Sequence, residues 1–426
     1  MEDAQLYGRT VVWPKIKPVS DYIQQRPAIV NGACQRCGQR QLAALPRKQV
    51  YCQSCIQLGR VSSLDVLLTL PEPNCFPASP GCQWTGELTA AQQQVSQELI
   101  ATWRARQRRL VWAVTGAGKT EMLFPLLNEA LLNGDRVALV SPRLDVINEL
   151  APRLRAAFPG QGLMVLHGRV EEPYQYTQLV LATVHQLLRF YQAFDLIIID
   201  EVDSYPYQGD AMLAQAVGQA AKPEHSEIYL TATPTRTLRQ EIKHGELEVS
   251  YLPLRFHRHL LPNITVQCCK DWRKRLPHRL KEQVGQLAQS GRPFLIFVPQ
   301  VTDLAVLAAY LVDFKALKGH TVHAQDPERT EKIEDLRAGR VQYLVTTTIL
   351  ERGVTFKGID VVIIGAEERV FTENALVQIA GRVGRSTERP TGEVVAYARY
   401  HNWALAAAQR QIKAMNARGQ KLLDHG

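Results

Sequence analysis

The chain has 426 residues, of which 46% are hydrophobic and 21% charged. That balance excludes a mainly disordered chain and leaves room for two to four domains at ~100 to 200 residues each. Fifty Lys and Arg against 41 Asp and Glu give a formal charge of +9, which favours a polyanionic partner. No apolar run nears the ~20 residues needed to span a bilayer, and the start, MEDAQLYGRT, lacks the basic and apolar regions of a secretion signal. A cytoplasmic protein without a transmembrane segment is expected.

In chain order, residues 1–30 mix isolated apolar positions with Pro14, Pro18 and Pro27 and read as an irregular arm. Residues 31–83 hold a cysteine-rich module and a Pro-containing linker, PEPNCFPASPG at 71–81. From 84 to 251, apolar strands are expected at 110–114, 136–140, 163–167, 178–182, 195–199 and 227–231. Between them lie segments such as TEMLFPLLNEALLNG and LDVINELAPRLRAAF, whose apolar residues recur at helical spacing. A basic connector, 252–281, interrupts this rhythm. A second series, within 282–426, places strands at 294–298, 319–323, 341–346, 360–364 and 393–398. Strands alternating with helices imply parallel sheets with crossovers, hence two consecutive α/β domains.

Six of the eight cysteines precede residue 83. Cys34 and Cys37 (CQRC) and Cys52 and Cys55 (CQSC) form two knuckles separated by fourteen residues. In a reducing compartment this spacing points to a four-thiolate Zn²⁺ site ahead of redox chemistry. Cys75 and Cys82 could hold a second metal, but with no third or fourth ligand evident they read as ordinary thiols; the adjacent Cys268 and Cys269 carry no assignment. The zinc module is open to three roles: binding DNA, docking a partner, or stabilising a domain too small for a large core. The surrounding Arg36, Arg40, Arg47, Lys48 and Arg60 favour DNA.

The segment AVTGAGKT, 113–120, follows a strand and opens a helix, as a phosphate loop must. Ala113 replaces the first Gly of GxxxxGK[ST]. Thr115, Gly116, Ala117 and Gly118 would wrap the phosphates of ATP, Lys119 would reach the β and γ phosphates, and Thr120 would ligate Mg²⁺. In FDLIIIDEVD, 194–203, a buried-strand pattern ends in carboxylates, with Asp200 lying 81 residues after Lys119. Asp200 would hold the Mg²⁺ and Glu201 would polarise the attacking water. In the second α/β domain, QIAGRVGR offers Gln378, Arg382 and Arg385 on one short element. Guanidiniums so placed suit an arginine finger that acts across a domain cleft and ties hydrolysis to domain motion.

TGAGKT, DEVD, TATPT and QIAGRVGR, in that order, resemble the phosphate loop, acidic box, coupling motif and arginine motif of superfamily 2 helicases, over about residues 86–400. The resemblance implies two tandem RecA-like parallel-sheet domains behind the small zinc-binding module. It implies that Gln92 of ELTAAQ reads adenine and that Thr231 and Thr233 couple the nucleotide to the strand-binding face. SPR (Ser141, Arg143), ATVHQLL (Thr183, His185) and TTTILERGVTF (Thr347, Thr348) are similar to the strand-contact motifs. These residues fall at strand ends or in the loops after them, where donors to a nucleic-acid backbone are expected. Trp103 and Trp272 sit beside basic residues and read as packing residues ahead of base-stacking ones.

The four cysteines N-terminal to the motor, the DEVD box and SPRLDV together resemble the ComFA family of bacterial competence proteins, whose motor is similar to that of PriA. This implies an ATP-driven single-stranded DNA motor, peripheral at the inner face of the cytoplasmic membrane, acting with the channel protein ComEC, with ComFC and with DprA. An oligomer is compatible with the spacing and not required by it. Two other readings stay open: a PriA-like duplex-unwinding repair or restart helicase, or an RNA helicase, and a zinc-dependent nucleic-acid scaffold with a nucleotide switch.

Overall fold

A computed structural model describes residues 2–168, 173–312, 314 and 317–424. The chain divides into two compact units: Met1–Trp112 with Lys119–Tyr251, and Ala113–Gly118 with Leu252–Gly426.

The first unit begins with order where an irregular arm was expected. Strands Val11–Pro14 and Gln24–Pro27 pair antiparallel with opposite edges of Asp65–Thr69. Both outer strands end on their prolines, and an edge strand tolerates the missing N–H there. The pattern is hard to read because each strand is four residues long and its partner lies far along the chain. Two hairpins follow, Ile29–Val30 with Ala33–Cys34 and Leu42–Leu45 with Gln49–Cys52, and each delivers the first cysteine of a knuckle from its closing strand. After Thr69 the linker carries no helix or strand until Ala90. It is nonetheless pinned: the Arg136 guanidinium, wholly buried, holds the buried carboxylate of Glu72 and also donates to the Tyr7 carbonyl at 3.2 Å and to the Tyr174 hydroxyl at 2.6 Å.

A seven-stranded sheet runs in the order Leu163–Leu166, Leu179–Thr183, Val137–Ser141, Phe194–Asp200, Ala221–Thr231, Arg108–Ala113, Glu248–Leu252. The first six are joined by parallel pairings. Phe194–Asp200 is buried along its whole length, which explains its run of Leu and Ile with no alternation. Parallel register brings Ser141, Thr183, Asp200 and Thr231 to the carboxyl ends of neighbouring strands.

In the second unit a six-stranded parallel sheet runs Ile264–Cys268, Val394–Ala398, Asp360–Ile364, Phe294–Phe297, Tyr343–Thr346, Gly319–Val322. Ile264–Cys268 lies inside the basic segment 252–281 and is a strand. Its half-exposed edge position needs few apolar residues, so flanking charges hide it in the sequence. Both sheets carry helices between their strands, and these are the two RecA-like domains. Among the described residues no helix is long and apolar enough to cross a membrane.

The arginines at 104–109 are tied to acids. Arg104 pairs with Glu129, Arg106 with Asp135, Arg108 with Glu241, and Arg109 with Glu248 and Glu98. Trp103 is buried and donates its Nε1–H to Asp135 at 2.7 Å, and Trp272 is buried in the second unit. Neither indole is presented to bases. Asp135, with a side chain only 5% exposed, is the acceptor on which the Trp103 and Arg106 donors converge. Asp135→Ala leaves both donors without it and should cost about 3 kcal/mol in denaturant unfolding; a loss under about 1 kcal/mol would show that water replaces the carboxylate.

Candidate nucleotide site and metal centre

The strand Arg108–Ala113 ends at the loop and the helix Lys119–Leu132 starts at its lysine. Gly116 (φ +79°) and Gly118 (φ +73°) take left-handed backbone that L side chains avoid, so the loop's curvature depends on them. Lys119 Nζ lies 3.2 Å from Asp200 Oδ1, joining the phosphate loop to the end of the buried strand. Burial works against the Lys119 ammonium, but the carboxylates of Asp200 and Glu201 outweigh it and hold the lysine above its ordinary value. Burial also pushes the Asp200 carboxyl above its usual range, against the pull of Lys119. Glu201 sits at φ +59°, a conformation costing of order 1–3 kcal/mol for a non-glycine residue. Its amide donates to Asp200 Oδ1 at 2.9 Å, and its carboxylate accepts from Ser204 Oγ at 3.3 Å.

The other end of the acidic box is as firmly tied. Thr231 and Thr233, both fully buried, donate their hydroxyls to the two carboxylate oxygens of Asp203, Thr231 at 2.6 Å. The Thr231 Oγ1 also accepts the Thr233 amide at 2.9 Å. Sequence reasoning assigned the threonines and not Asp203. The available signal was two threonines two residues apart after a strand, facing the last acid of DEVD.

Within the second unit the loop meets the arginine motif. Thr115 Oγ1 donates to the Gly381 carbonyl at 3.3 Å, and a Cβ on Gly381 would stand 1.9 Å from that hydroxyl, so only glycine fits. Arg382 is buried, with Nε on the Glu351 carbonyl at 2.9 Å and Nη1 on the Val354 carbonyl. Arg385 is half-buried, with Nε on the Gly381 carbonyl at 3.1 Å and Nη1 3.4 Å from Thr355 Oγ1. Gln378 is buried in the helix Glu373–Ala380, whereas Arg382 and Arg385 follow its end, so the three do not share the one short element expected.

The remaining predicted positions are reached unevenly. Gln92 is 5% exposed and serves in the capping box of helix Ala90–Arg104, accepting the Thr89 amide at 2.9 Å. Ser141 is fully buried and accepts the Arg143 amide at 3.3 Å. Arg143 is forked on Asp145 through Nε at 3.0 Å and Nη2 at 2.8 Å. Thr183, Thr347 and Thr348 are half-buried at or just after strand ends, as is Thr120 at the start of its helix.

Cys34, Cys37, Cys52 and Cys55 converge, with their sulfurs all within 4.8 Å of one another. Separations of 3.8 Å (34 to 55), 3.5 Å (37 to 52) and 3.7 Å (52 to 55) match the edge of about 3.8 Å in a tetrahedral zinc–thiolate site with ~2.3 Å bonds. Hydrogen bonds from the Cys34 and Cys37 thiols, helped by the Arg36 charge, hold Cys55 well below the usual thiol value. Arg36 itself is buried and does not offer a DNA contact. Its guanidinium touches Cys55 Sγ at 3.1 Å and the carbonyls of Cys55, Leu58 and Gly59. The four cysteines share one hydrophobic core with Phe190, Phe194 and Leu213 of the first α/β domain.

The chain matches three known families. Residues 15–69 match the Competence protein ComFA N-terminal domain, residues 85–236 the Type III restriction enzyme, res subunit, and residues 276–387 the Helicase conserved C-terminal domain. It is 40% identical over 403 residues to Competence protein ComFA of Bacillus subtilis (strain 168), covering 91% of this chain and 86% of that one. It is also 40% identical over 391 residues to Competence protein ComFA of Streptococcus pneumoniae (strain ATCC BAA-255 / R6), covering 90% of each. In fold it is similar to Saccharomyces cerevisiae Dbp5 bound to RNA and ADP BeF3, with a TM-score of 0.55, 16% identity, and 78% of this chain and 88% of that one covered. Two RecA-like domains carrying these motifs define an ATP-dependent, nucleic-acid-binding helicase or translocase of superfamily 2. Within that class the chain belongs to the ComFA family of competence proteins.

Asp203→Ala leaves the buried hydroxyls of Thr231 and Thr233 without their acceptor. We expect about 2 kcal/mol lost from the first unit in chemical denaturation; wild-type stability would remove the carboxylate from its bracing role.

Proposed function

We propose that the protein is an ATP-driven translocase on single-stranded DNA that moves incoming DNA across the cytoplasmic membrane during natural transformation. The observation that supports it best is the acidic box, tied at one end to the phosphate-loop Lys119 through Asp200 and at the other to Thr231 and Thr233 through Asp203. A change at the nucleotide then has a short covalent path, 200–203, to the carboxyl ends of the strands.

In this reading the amides of Thr115–Gly118 and Lys119 hold the ATP phosphates, Thr120 and Asp200 hold Mg²⁺, Glu201 orients water, and Gln92 and Gln378 contribute nucleotide contacts. Arg382, held on the Glu351 and Val354 carbonyls, and Arg385 supply the guanidiniums of the arginine motif. Ser141, Arg143, Thr183, Thr347 and Thr348 belong to the segments that grip the DNA backbone. Arg143 reaches a phosphate by exchanging Asp145 for it. Membership of the ComFA family supports a position at the inner membrane face beside ComEC, with ComFC and DprA as partners.

The deciding experiment is the ATPase rate in parallel with single-stranded DNA, duplex DNA and RNA, over a salt titration. Single-stranded DNA should stimulate most, with half-saturation weakening steeply as salt rises. Lys119→Ala should lose about 10²-fold or more in turnover while keeping native circular dichroism. Stimulation only by duplex or by RNA would instead favour an unwinding enzyme, and single-turnover hydrolysis would favour a nucleotide-switched scaffold.

We assign Zn²⁺ to the four cysteines, where it stabilises the first unit by clamping the two hairpins onto a core they share with the motor. Replacing Cys34 and Cys37 by serine should remove one zinc per chain by elemental analysis and lower the unfolding temperature by more than about 5 °C. Unchanged metal content would remove the site.

A further inference from the structure

Arg255, three residues beyond the strand Glu248–Leu252, is 1% exposed. Its Nη1 donates to the Gly384 carbonyl, which also lies 2.9 Å from His257 Nε2. Among the described residues its buried Nε and Nη2 meet no hydrogen-bond partner. Most other buried arginines here are answered: Arg136 by Glu72, Arg36 by carbonyls and a sulfur, Arg382 by two carbonyls. A guanidinium stays charged at neutral pH, so leaving two of its donor nitrogens unmet in the interior is costly unless an acceptor arrives.

The surroundings indicate which acceptor. A Cβ placed on Gly116 of the phosphate loop would stand 3.9 Å from Arg255 Cγ. The segment is stitched to the loop on both sides of Arg255: the Val114 amide donates to the Leu252 carbonyl at 3.0 Å, and the Phe256 amide to the Gly116 carbonyl at 3.0 Å. Burial pushes the guanidinium down to about 9, and the positive charge of Arg385 adds to the shift. Arg255, with two unmet donors among the described residues, therefore shares this corner of the second unit with the Arg385 cation, beside backbone shaped for phosphate.

We propose that Arg255 is a phosphate-binding residue of the nucleotide site, contacting the polyphosphate of a nucleoside di- or triphosphate held by the 115–120 loop. The inference rests on the reading of that loop as the nucleotide site. Its planar fork of donors suits phosphate oxygens, and the arriving anion relieves both the unmet hydrogen bonds and the repulsion between Arg255 and Arg385. Because Arg255 lies in the segment that continues into the second sheet, that segment senses directly whether phosphate is present.

The test uses the full-length, zinc-loaded chain with Arg255→Met, which keeps an apolar stem of similar length, and Arg255→Lys, which keeps the charge but not the fork. Equilibrium binding of fluorescently labelled ATP and ADP should weaken by about ten-fold or more in the methionine variant and by an intermediate factor in the lysine variant. Weak competition by adenosine, which has no phosphate, should not change. Binding of a labelled single strand without nucleotide should stay within about two-fold, which separates nucleotide phosphate from polymer phosphate as the anion. The unliganded methionine variant should melt no lower than wild type, because an unmet buried charge has been removed, while the rise in melting temperature on adding ATP should shrink.

Wild-type affinity for ATP in the methionine variant overturns the proposal. So does a loss confined to the single strand. So does a fall in unliganded melting temperature, or failure of both variants to fold, since these outcomes assign Arg255 to the core. If instead the wild-type chain binds ATP no better than Lys119→Ala does, it is the assignment of the 115–120 loop that fails.

Discussion

A buried hydrophobic strand that ends in carboxylates sets the terms for the nucleotide site. Phe194–Asp200 lies in the middle of its sheet with every residue buried, so the carboxylates that follow leave the interior at a place where bare charge is expensive. Each is answered locally: Asp200 by Lys119, Glu201 by Ser204, Asp203 by two threonine hydroxyls. The same need for partners gives the box its chemistry. Lys119 is held charged by Asp200 and Glu201, and Asp203 ties the Ala221–Thr231 strand to the box through Thr231 and Thr233.

The cysteine module is bound into this arrangement. Its sulfurs lie in the same hydrophobic core as Phe190 and Phe194, and backbone bonds such as Thr10 N–H to the Arg189 carbonyl at 2.7 Å continue the contact. Gln219 Nε2 donates to the Gln35 carbonyl at 3.3 Å, and Arg26 stacks over the Tyr191 ring at 3.6 Å. A metal in the knuckles would therefore stiffen the first α/β domain, and Arg36 would offset part of the negative charge of four thiolates. Of the three roles open from sequence, stabilisation of the unit is the one these contacts favour.

Positive charge in this chain serves the fold more than its total suggests. The 104–109 arginines are matched one by one with acids, Arg273 is forked on Asp303 and also reaches Glu368, and Arg36 and Arg136 are interior residues whose guanidiniums are answered. Composition counts such residues as available to a polyanion. Burial and pairing decide that they are not, because an arginine already neutralised by a carboxylate releases few counterions on meeting DNA.

The sequence by itself determined what depends on local spacing. The glycines and lysine of 115–120, the box after an apolar strand, the two CxxC knuckles, the arginines at 382 and 385 and the alternation of strands with helices are all short-range patterns, and the resemblance to helicases rested on them. Tertiary structure decided what depends on partners far along the chain. It paired residues 11–14 and 24–27 with 65–69, placed 264–268 at a sheet edge, joined Asp203 to Thr231 and Thr233, and turned Arg36 inward. The physical reason is that a charge or a short strand carries no local mark of its partner; burial in the folded chain alone determines whether an arginine meets solvent, a carboxylate or backbone carbonyls.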